Sequence, residues 1–563
     1  MEPLPSRRAT SLLNLKWIRP LPRRVTRPLC IVILVAWAGQ MAALVNRSYL
    51  QASVNLAADL RRYGSDAQWC GVYYRGAKIG FTVRQTVPID DGFELQEDGQ
   101  LEMTLLGATT AAKIRTTARV DNAFVLRSFE FSLDPGTGPI QVRGRVERPG
   151  PDDARAWRLI IDVTSSGSGD TRTEERELAE PPMLILNLGR RLVSEGLTAG
   201  ARHQWTVFDP ATLRNAPVVL DVGRRELVRV GDTPTPAFRV DVEFAGLHTT
   251  SWITDTGEVV REESPLGLLT LREPAARATV MAVPGQVQTD LLKAAAVVPV
   301  THQPIDDPRN VRRLRVRLEG ADLSSPDLQG GGQTVEGDVV EISDPRTIEP
   351  GPADPDVKRY LAPEPFIESD APEIRAEARI AAGTIEGDRA RAEGLTRYVN
   401  GLLDKKPTLS LPSAREVLRT KIGDCNEHTA LYVAMARAMG IPARIAVGLA
   451  YVGNAFYYHA WPEVYLDEGK NRGLWLPVDP TFNQFPADGT HLRLARGGLD
   501  KQAAILPLIG RLKMTVLDLE VVPGSTRILV GRPATNAPAP PLPTRRRGWE
   551  GWCGWRRLCQ GSD

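Results

Sequence analysis

The first half of the chain is patterned at period two. Val72-Tyr73-Tyr74 and Phe81-Thr82-Val83 flank Arg75-Gly76-Ala77-Lys78, which predicts a hairpin. Similar β-rich runs follow at 101–105, 113–120, 124–131, 140–146 and 157–163. Their spacing, roughly 10 to 15 residues, suits an all-β sheet or sandwich. A short helix is predicted over 182–194, with Gly196 near its end. Strands then resume at 204–208, 218–222 and 238–244, and two more flank the turn Asp255-Thr256-Gly257. Residues 69–285 therefore read as one or two β-rich units. Another β-like stretch spans 310–345, where Val311, Leu314, Val316 and Leu318 alternate imperfectly and Gly330-Gly331-Gly332 marks a turn or flexible loop. The Pro- and Asp-rich segment 344–356 reads as a linker.

After that segment the period changes. Residues 372–383 and 388–404 read as helices, the second carrying Leu395, Tyr398, Val399 and Leu402 at helical spacing. Ser413-Ala414-Arg415-Glu416 has the form of a capping box. Gly423 and Asp424 suit a tight turn and an N-cap, so that Cys425 opens a helix running to Met439 and closed by Gly440 and Pro442. Three strands are predicted next: one from Arg444 to Tyr451, one carrying His459 near its start, and one ending on Asp479. The expected fold class is α+β, an N-terminal antiparallel β-rich region followed by an α+β domain over 355–515.

The two ends differ from the rest. Residues 1–28 hold seven Arg and Lys against the single acid Glu2, and form a basic segment. An apolar run from Leu29 to Val45 follows, just long enough at about 1.5 Å per residue to cross a bilayer core. Positive residues stay on the cytoplasmic side, so this pattern predicts a single-pass anchor with the remainder outside the cytoplasm. A cleaved signal peptide, with Ala36-Trp37-Ala38 as its cleavage site, is the competing reading and would make the chain secreted. At the other end, 534–563 is a Pro-rich linker followed by Arg545-Arg546-Arg547, Trp549, Trp552 and Trp555. This tail reads either as a membrane-surface contact or as a solvated end.

Composition adds mainly exclusions. A chain of 563 residues has room for roughly two to four domains. A net charge of +2, with no long basic stripe, excludes nucleic acid as the general partner. Cys30, Cys70, Cys425, Cys553 and Cys559 are too few and too scattered for a disulfide framework, although Cys553 and Cys559 could pair in an oxidising compartment. His203 and His248 are isolated and read as ordinary surface or core histidines. No acidic loop suggests a calcium site, no cofactor motif is present, and the sequence leaves the oligomeric state open.

The chemistry gathers between 413 and 481. A thiol at a helix start faces unpaired N–H groups and the positive end of the helix dipole, which favour ionisation and can hold an oxyanion. A base on a strand and an acid on the next would complete a nucleophile, base and orienting group. Gly423-Asp424-Cys425 with Glu427-His428, then His459-Ala460-Trp461 with Glu463-Val464, then Trp475 with Pro477-Val478-Asp479-Pro480-Thr481, resembles the bacterial transglutaminase-like superfamily. The resemblance spans roughly 355–500. It implies a papain-like fold with Cys425 as nucleophile, His459 as general base and acid, and Asp479 orienting His459. It also implies thiol-dependent acyl transfer on protein or peptide amides, by hydrolysis or transglutamination. The rival from another class is a non-catalytic cell-envelope binding protein built on an inherited scaffold.

Around the three residues, His428 reads as supporting or structural, and Glu427 as a helix-face or supporting residue. Trp461 reads as packing beneath His459, and one of Tyr457 and Tyr458 as lining the cleft. His491 reads as loop surface. A Cys425–His428–His459 metal site lacks a convincing fourth ligand, so no metal is expected.

Overall fold

The computed structural model describes residues 63–522, apart from short segments at 65–66, 106–107, 137, 148–156, 166–170, 232, 245, 265–266, 282–289, 321, 324–325, 409–412 and 498–502. The basic segment 1–28, the apolar run 29–45 and the tail 534–563 lie outside the described residues, together with Cys30, Cys553 and Cys559. Among the described residues no helix is long and apolar enough to cross a membrane.

The alternating runs of the first half form one antiparallel meander of 14 strands. Eight strands run outward in chain order from Gln68–Tyr74 to Thr171–Leu178. The other six, from Arg202–Asp209 to Leu268–Arg272, return to the start, where Cys70 stands opposite Arg272. One continuous sheet thus accounts for what the spacing left as one or two units. The predicted helix lies at Leu188–Glu195 after a short 3-10 turn. Two separate apolar clusters pack on the sheet, one around Phe129, Phe131, Leu159 and Ile161, the other around Leu192, Val218, Leu220 and Val240.

The stretch 310–345 is not a unit set apart. Its strand Val311–Glu319 pairs antiparallel with Lys513–Val521, nearly two hundred residues onward, and with Val339–Ser343, forming the middle of a four-stranded sheet. Val311, Leu314 and Val316 belong to the same core as Leu431, Tyr432 and Val433 of the Cys425 helix. Gly330, Gly331 and Gly332 all have positive φ, and the Gly330 and Gln329 carbonyls accept from Arg493, so this loop is pinned rather than loose. The segment read as a linker is also built in. Asp344 is buried and caps a 3-10 turn, and Gly351–Pro352 pairs with Arg472–Gly473 at the edge of a five-stranded sheet.

That five-stranded sheet and the helices before it form the second half's core. Its central strands are Ala443–Val452 and Ala455–Gly469, with Arg472–Pro477 and Leu492–Arg496 on either side. Helices Pro372–Ala382, Asp388–Leu402, Ala414–Thr420 and Cys425–Ala438 occupy the positions predicted for them, and the first, second and third all pack on the fourth. The fourth is buried along almost its whole length, because every exposed face is taken by a neighbour. Ala460, Val464 and Leu466 join its core, while His459, Trp461, Glu463 and Tyr465 alternate onto the other face of their strand. On that face Glu463 is buried against Arg444 at 2.7 Å and Arg493 at 3.5 Å, and these two cations hold its carboxyl below the ordinary range despite burial.

Leu314 sits fully buried where the four-stranded sheet meets the helical core. Leu314→Ala should lower the unfolding free energy of the full chain by about 2–5 kcal/mol. Leu227→Ala, at a position 74% exposed, should change it by less than about 0.5 kcal/mol. Urea unfolding followed by tryptophan fluorescence distinguishes the two.

Candidate active site

The start of the Cys425 helix is fixed by its own sequence. Asp424 is the N-cap; its Oδ1 accepts from the Asn426 amide at 3.0 Å, and Glu427 Oε2 accepts from the Asp424 amide at 2.9 Å to close a capping box. Thr408 braces the box by donating to Glu427 Oε1 at 2.8 Å. Gly423 is required here, since a Cβ on it would lie 2.2 Å from the Glu427 Cβ. Glu427 is therefore a capping residue rather than a helix-face one. The cap engages the Asn426 and Glu427 amides, which leaves the Cys425 amide as the first-turn donor outside the cap.

Cys425 is half-buried as a residue, its thiol is buried, and the backbone amide of Ala460, the residue after His459, donates to its sulfur. The helix start does not make this thiol acidic, contrary to the sequence expectation. Burial pushes it well above its ordinary value, and the neighbouring Asp424 carboxyl adds to the rise, while the Ala460 bond opposes both. Burial and the adjacent Glu427 carboxyl likewise hold Asp424 well above the usual carboxylate range. Burial and the neighbouring carboxyls thus favour the thiol form of Cys425.

His459 lies on the strand Ala455–Gly469, next to Ala460. His459 Nε2 lies 2.8 Å from Asp479 Oδ2, with both side chains buried. The strand expected to end on Asp479 ends earlier, at Pro477, so Asp479 stands just past it, and its Oδ1 accepts from the amides of Thr481 at 2.7 Å and Phe482 at 3.0 Å. Burial alone would raise Asp479, but His459 and His491 outweigh it and hold the carboxyl far below the ordinary range. An ionised carboxylate only accepts, so His459 Nε2 carries a proton and donates it to Asp479 Oδ2, which leaves Nδ1 outside that bond. Phe482 lies parallel to the His459 ring at 4.6 Å and Trp461 at 6.1 Å, so Trp461 packs against the imidazole as expected. The structure thus joins His459 to Asp479 directly and brings the Cys425 sulfur to the backbone beside His459.

His491 is the residue the sequence placed wrongly. It is buried, not loop surface, because Asp488 and Asp479 draw it inward: its Nε2 lies 3.2 Å from Asp479 Oδ2 and its Nδ1 lies 3.1 Å from Asp488 Oδ1. Burial pulls the imidazole down, but the two carboxylates overcome it and raise His491 from an ordinary 6.5 to about 10. Asp488 is held below its ordinary value by the same pairing. No spacing rule marks His491; the one local cue is Asp488 three residues before it, within reach of a turn.

His428 plays a structural part. Its Nδ1 donates to the Asp424 carbonyl at 2.6 Å, which leaves Nε2 as a buried acceptor, and burial lowers its pKa to about 4, so the ring is neutral. Tyr458 donates to the Leu508 carbonyl at 2.8 Å and packs on the core. His459, Asp479 and His491 bring three ligand-type atoms within 4.8 Å of one another, close enough to hold a cation. Hydrogen bonds between them require that closeness by themselves. The set considered from sequence, Cys425 with His428 and His459, is a different one.

Residues 378–480 match the model of the Transglutaminase-like superfamily. The match contains Cys425, His459 and Asp479 and covers under a fifth of the chain. Among solved structures, a chain from Cytophaga hutchinsonii provisionally assigned as a cysteine protease is 17% identical over 38% of this chain and 90% of that one, with a TM-score of 0.26. A member of the DUF1089 family from Pseudomonas aeruginosa is 14% identical over 33% of this chain and 89% of that one, with a TM-score of 0.19. A chain from Parabacteroides distasonis provisionally assigned as a protease is 10% identical over 71% and 68%, with a TM-score of 0.19. At such TM-scores these likenesses carry no further argument. No curated protein matches this chain.

The buried charges make stability depend on pH in a set direction. His491 is raised in the fold, so its contribution is complete below its ordinary 6.5 and is lost as pH climbs toward about 10. Asp479 and Asp488 are lowered, so theirs is complete above the ordinary 3.8 and is lost as pH falls below it. Urea midpoints measured across pH should therefore fall on both sides, and the alkaline fall should be smaller in His491→Gln.

Proposed function

We propose that this chain is a thiol-dependent acyl-transfer enzyme acting on protein or peptide amides, with Cys425 as nucleophile, His459 as general base and acid, and Asp479 as the group that orients His459. The observation carrying this reading is the buried 2.8 Å bond from His459 Nε2 to Asp479 Oδ2, which leaves Nδ1 as the basic nitrogen. His459 takes the Cys425 proton as sulfur attacks the amide carbon. A C–S bond forms, and the developing oxyanion has the Cys425 amide as a donor. The C–N bond then breaks, and His459 returns the proton to the departing amine. Water or a second amine resolves the thioester and restores the thiol. Water makes the protein a peptidase or amidase; a lysine-type amine makes it a cross-linking transglutaminase.

One observation favours the rival, a non-catalytic cell-envelope binding protein: burial keeps the Cys425 thiol protonated. The intact Cys, His and Asp set favours the enzyme, since a scaffold needs none of the three. The sequence pattern further supports a cell-membrane, single-pass protein, anchored through 29–45 with the catalytic domain in the periplasm, or a secreted one if that segment is cleaved.

The test is mass spectrometry of casein peptides and a primary amine mixed with the full chain, beside a Cys425→Ala control. Amine incorporation lost in the control identifies a transglutaminase, and cleavage or deamidation lost in the control identifies a hydrolase. Asp479→Asn should lower either rate by roughly 10²–10⁴-fold. An unchanged rate in Cys425→Ala would refute the assignment.

A further inference from the structure

His491 and Asp488 lie outside the three residues of the proposed mechanism, yet they are bonded into the same carboxylate. Asp479 Oδ2 faces two imidazole nitrogens, His459 Nε2 at 2.8 Å and His491 Nε2 at 3.2 Å, while Oδ1 takes two backbone amides. The carboxylate is therefore fully occupied, and the two rings share one oxygen. His491 is held against rotation from its other side. Its Nδ1 meets Asp488 Oδ1, which also accepts from the Thr490 amide at 3.0 Å and the Thr490 hydroxyl at 2.6 Å. Asp488 Oδ2 accepts from Gln484 Nε2 at 2.8 Å, and the Gln484 side-chain oxygen accepts from the Asp488 amide at 2.9 Å. Trp461 stands edge-on to the His491 ring at 5.1 Å.

Both nitrogens of His491 thus face carboxylates that can only accept, which requires a doubly protonated ring. A buried cation sits one shared oxygen away from His459. We propose that His491, carried by Asp488, is a positioning residue for His459: it fixes the Asp479 oxygen that orients the imidazole and opposes a second proton on that imidazole. This rests on the reading of Cys425 and His459 given above. The benefit follows from the thiol. Since Cys425 is protonated at rest, attack needs a neutral His459, and the His491 cation keeps it neutral to lower pH. The charged and titratable groups around the pair are Asp479 and Asp488 on their own loop, with Cys425, Asp424, Glu427 and His428 on the packed helix and Lys405 beyond it. Among them, His491 alone is a cation bonded to the oxygen that His459 uses.

The test is the alkylation rate of Cys425 by iodoacetamide in the full chain, resolved by peptide mass spectrometry across pH, with amide turnover measured alongside. In the native chain the rate should rise through an acid limb set by His459. In His491→Gln and in Asp488→Asn that limb should move to higher pH by on the order of one unit, about a fivefold lower rate at the native midpoint. kcat should fall while KM holds. The double variant should move the limb no further than His491→Gln alone. His491→Lys, which keeps a cation between the two carboxylates, should leave the limb in place. Folding of each variant is checked by its urea midpoint, and Asp488→Asn serves if His491→Gln does not fold. Slower alkylation at every pH with an unmoved limb means a merely structural role and overturns the proposal. If His459→Gln leaves the native profile unchanged, the reading of the thiol and imidazole fails and takes this proposal with it. A limb abolished by His459→Gln but unmoved by His491→Gln overturns this proposal alone.

Discussion

The second half of this protein is organised around one buried carboxylate. Asp479 has no solvent contact, and burying an ionised acid is tolerable only when every lone pair is met. Two backbone amides and two imidazoles meet them here. The amides fix the turn at Thr481 and Phe482, and Phe482 then lies flat against His459. The imidazoles come from the His459 strand and from the loop ahead of Leu492–Arg496, so one side chain ties together three separate stretches of chain. Removing the charge would leave two histidines without their shared acceptor.

The thiol is governed by different physics. Its position at a helix start is set by the capping box of Asp424 and Glu427, and that same box occupies amides that would otherwise favour a thiolate. Burial then decides the outcome. The helix dipole and exposed N–H groups lower a thiol only where solvent screening and desolvation do not oppose them. The resulting site favours the thiol over the thiolate at Cys425.

Much of this was legible in the residues, and the exceptions have physical causes. Capping signals, helical periodicity and glycine stops place the Cys425 helix, and alternation places the His459 and Asp479 strands. These are local effects, and the fold did not override them. The 14-stranded meander was readable as strands, but pairing of the first with the last, Gln68–Tyr74 on Leu268–Arg272, is a long-range choice that no local pattern encodes. The same holds for Val311–Glu319 on Lys513–Val521. His491 was missed because its burial is produced by partners twelve and three residues away acting together. The acidity expected of Cys425 was wrong because helix position is visible in sequence and burial is not.

The pairing of Val311–Glu319 with Lys513–Val521 also bears on how the molecule is made. A chain emerging from its N-terminus can complete the 14-stranded meander early, since nearly all its neighbours are consecutive. The core that holds Cys425 cannot close until the last of these strands has been synthesised, because Leu314 and Val316 share it with Met514 and Val516. Assembly of the thiol site is thereby deferred until residues 513–521 have been made, and truncation before residue 513 leaves the second half without its closing strand.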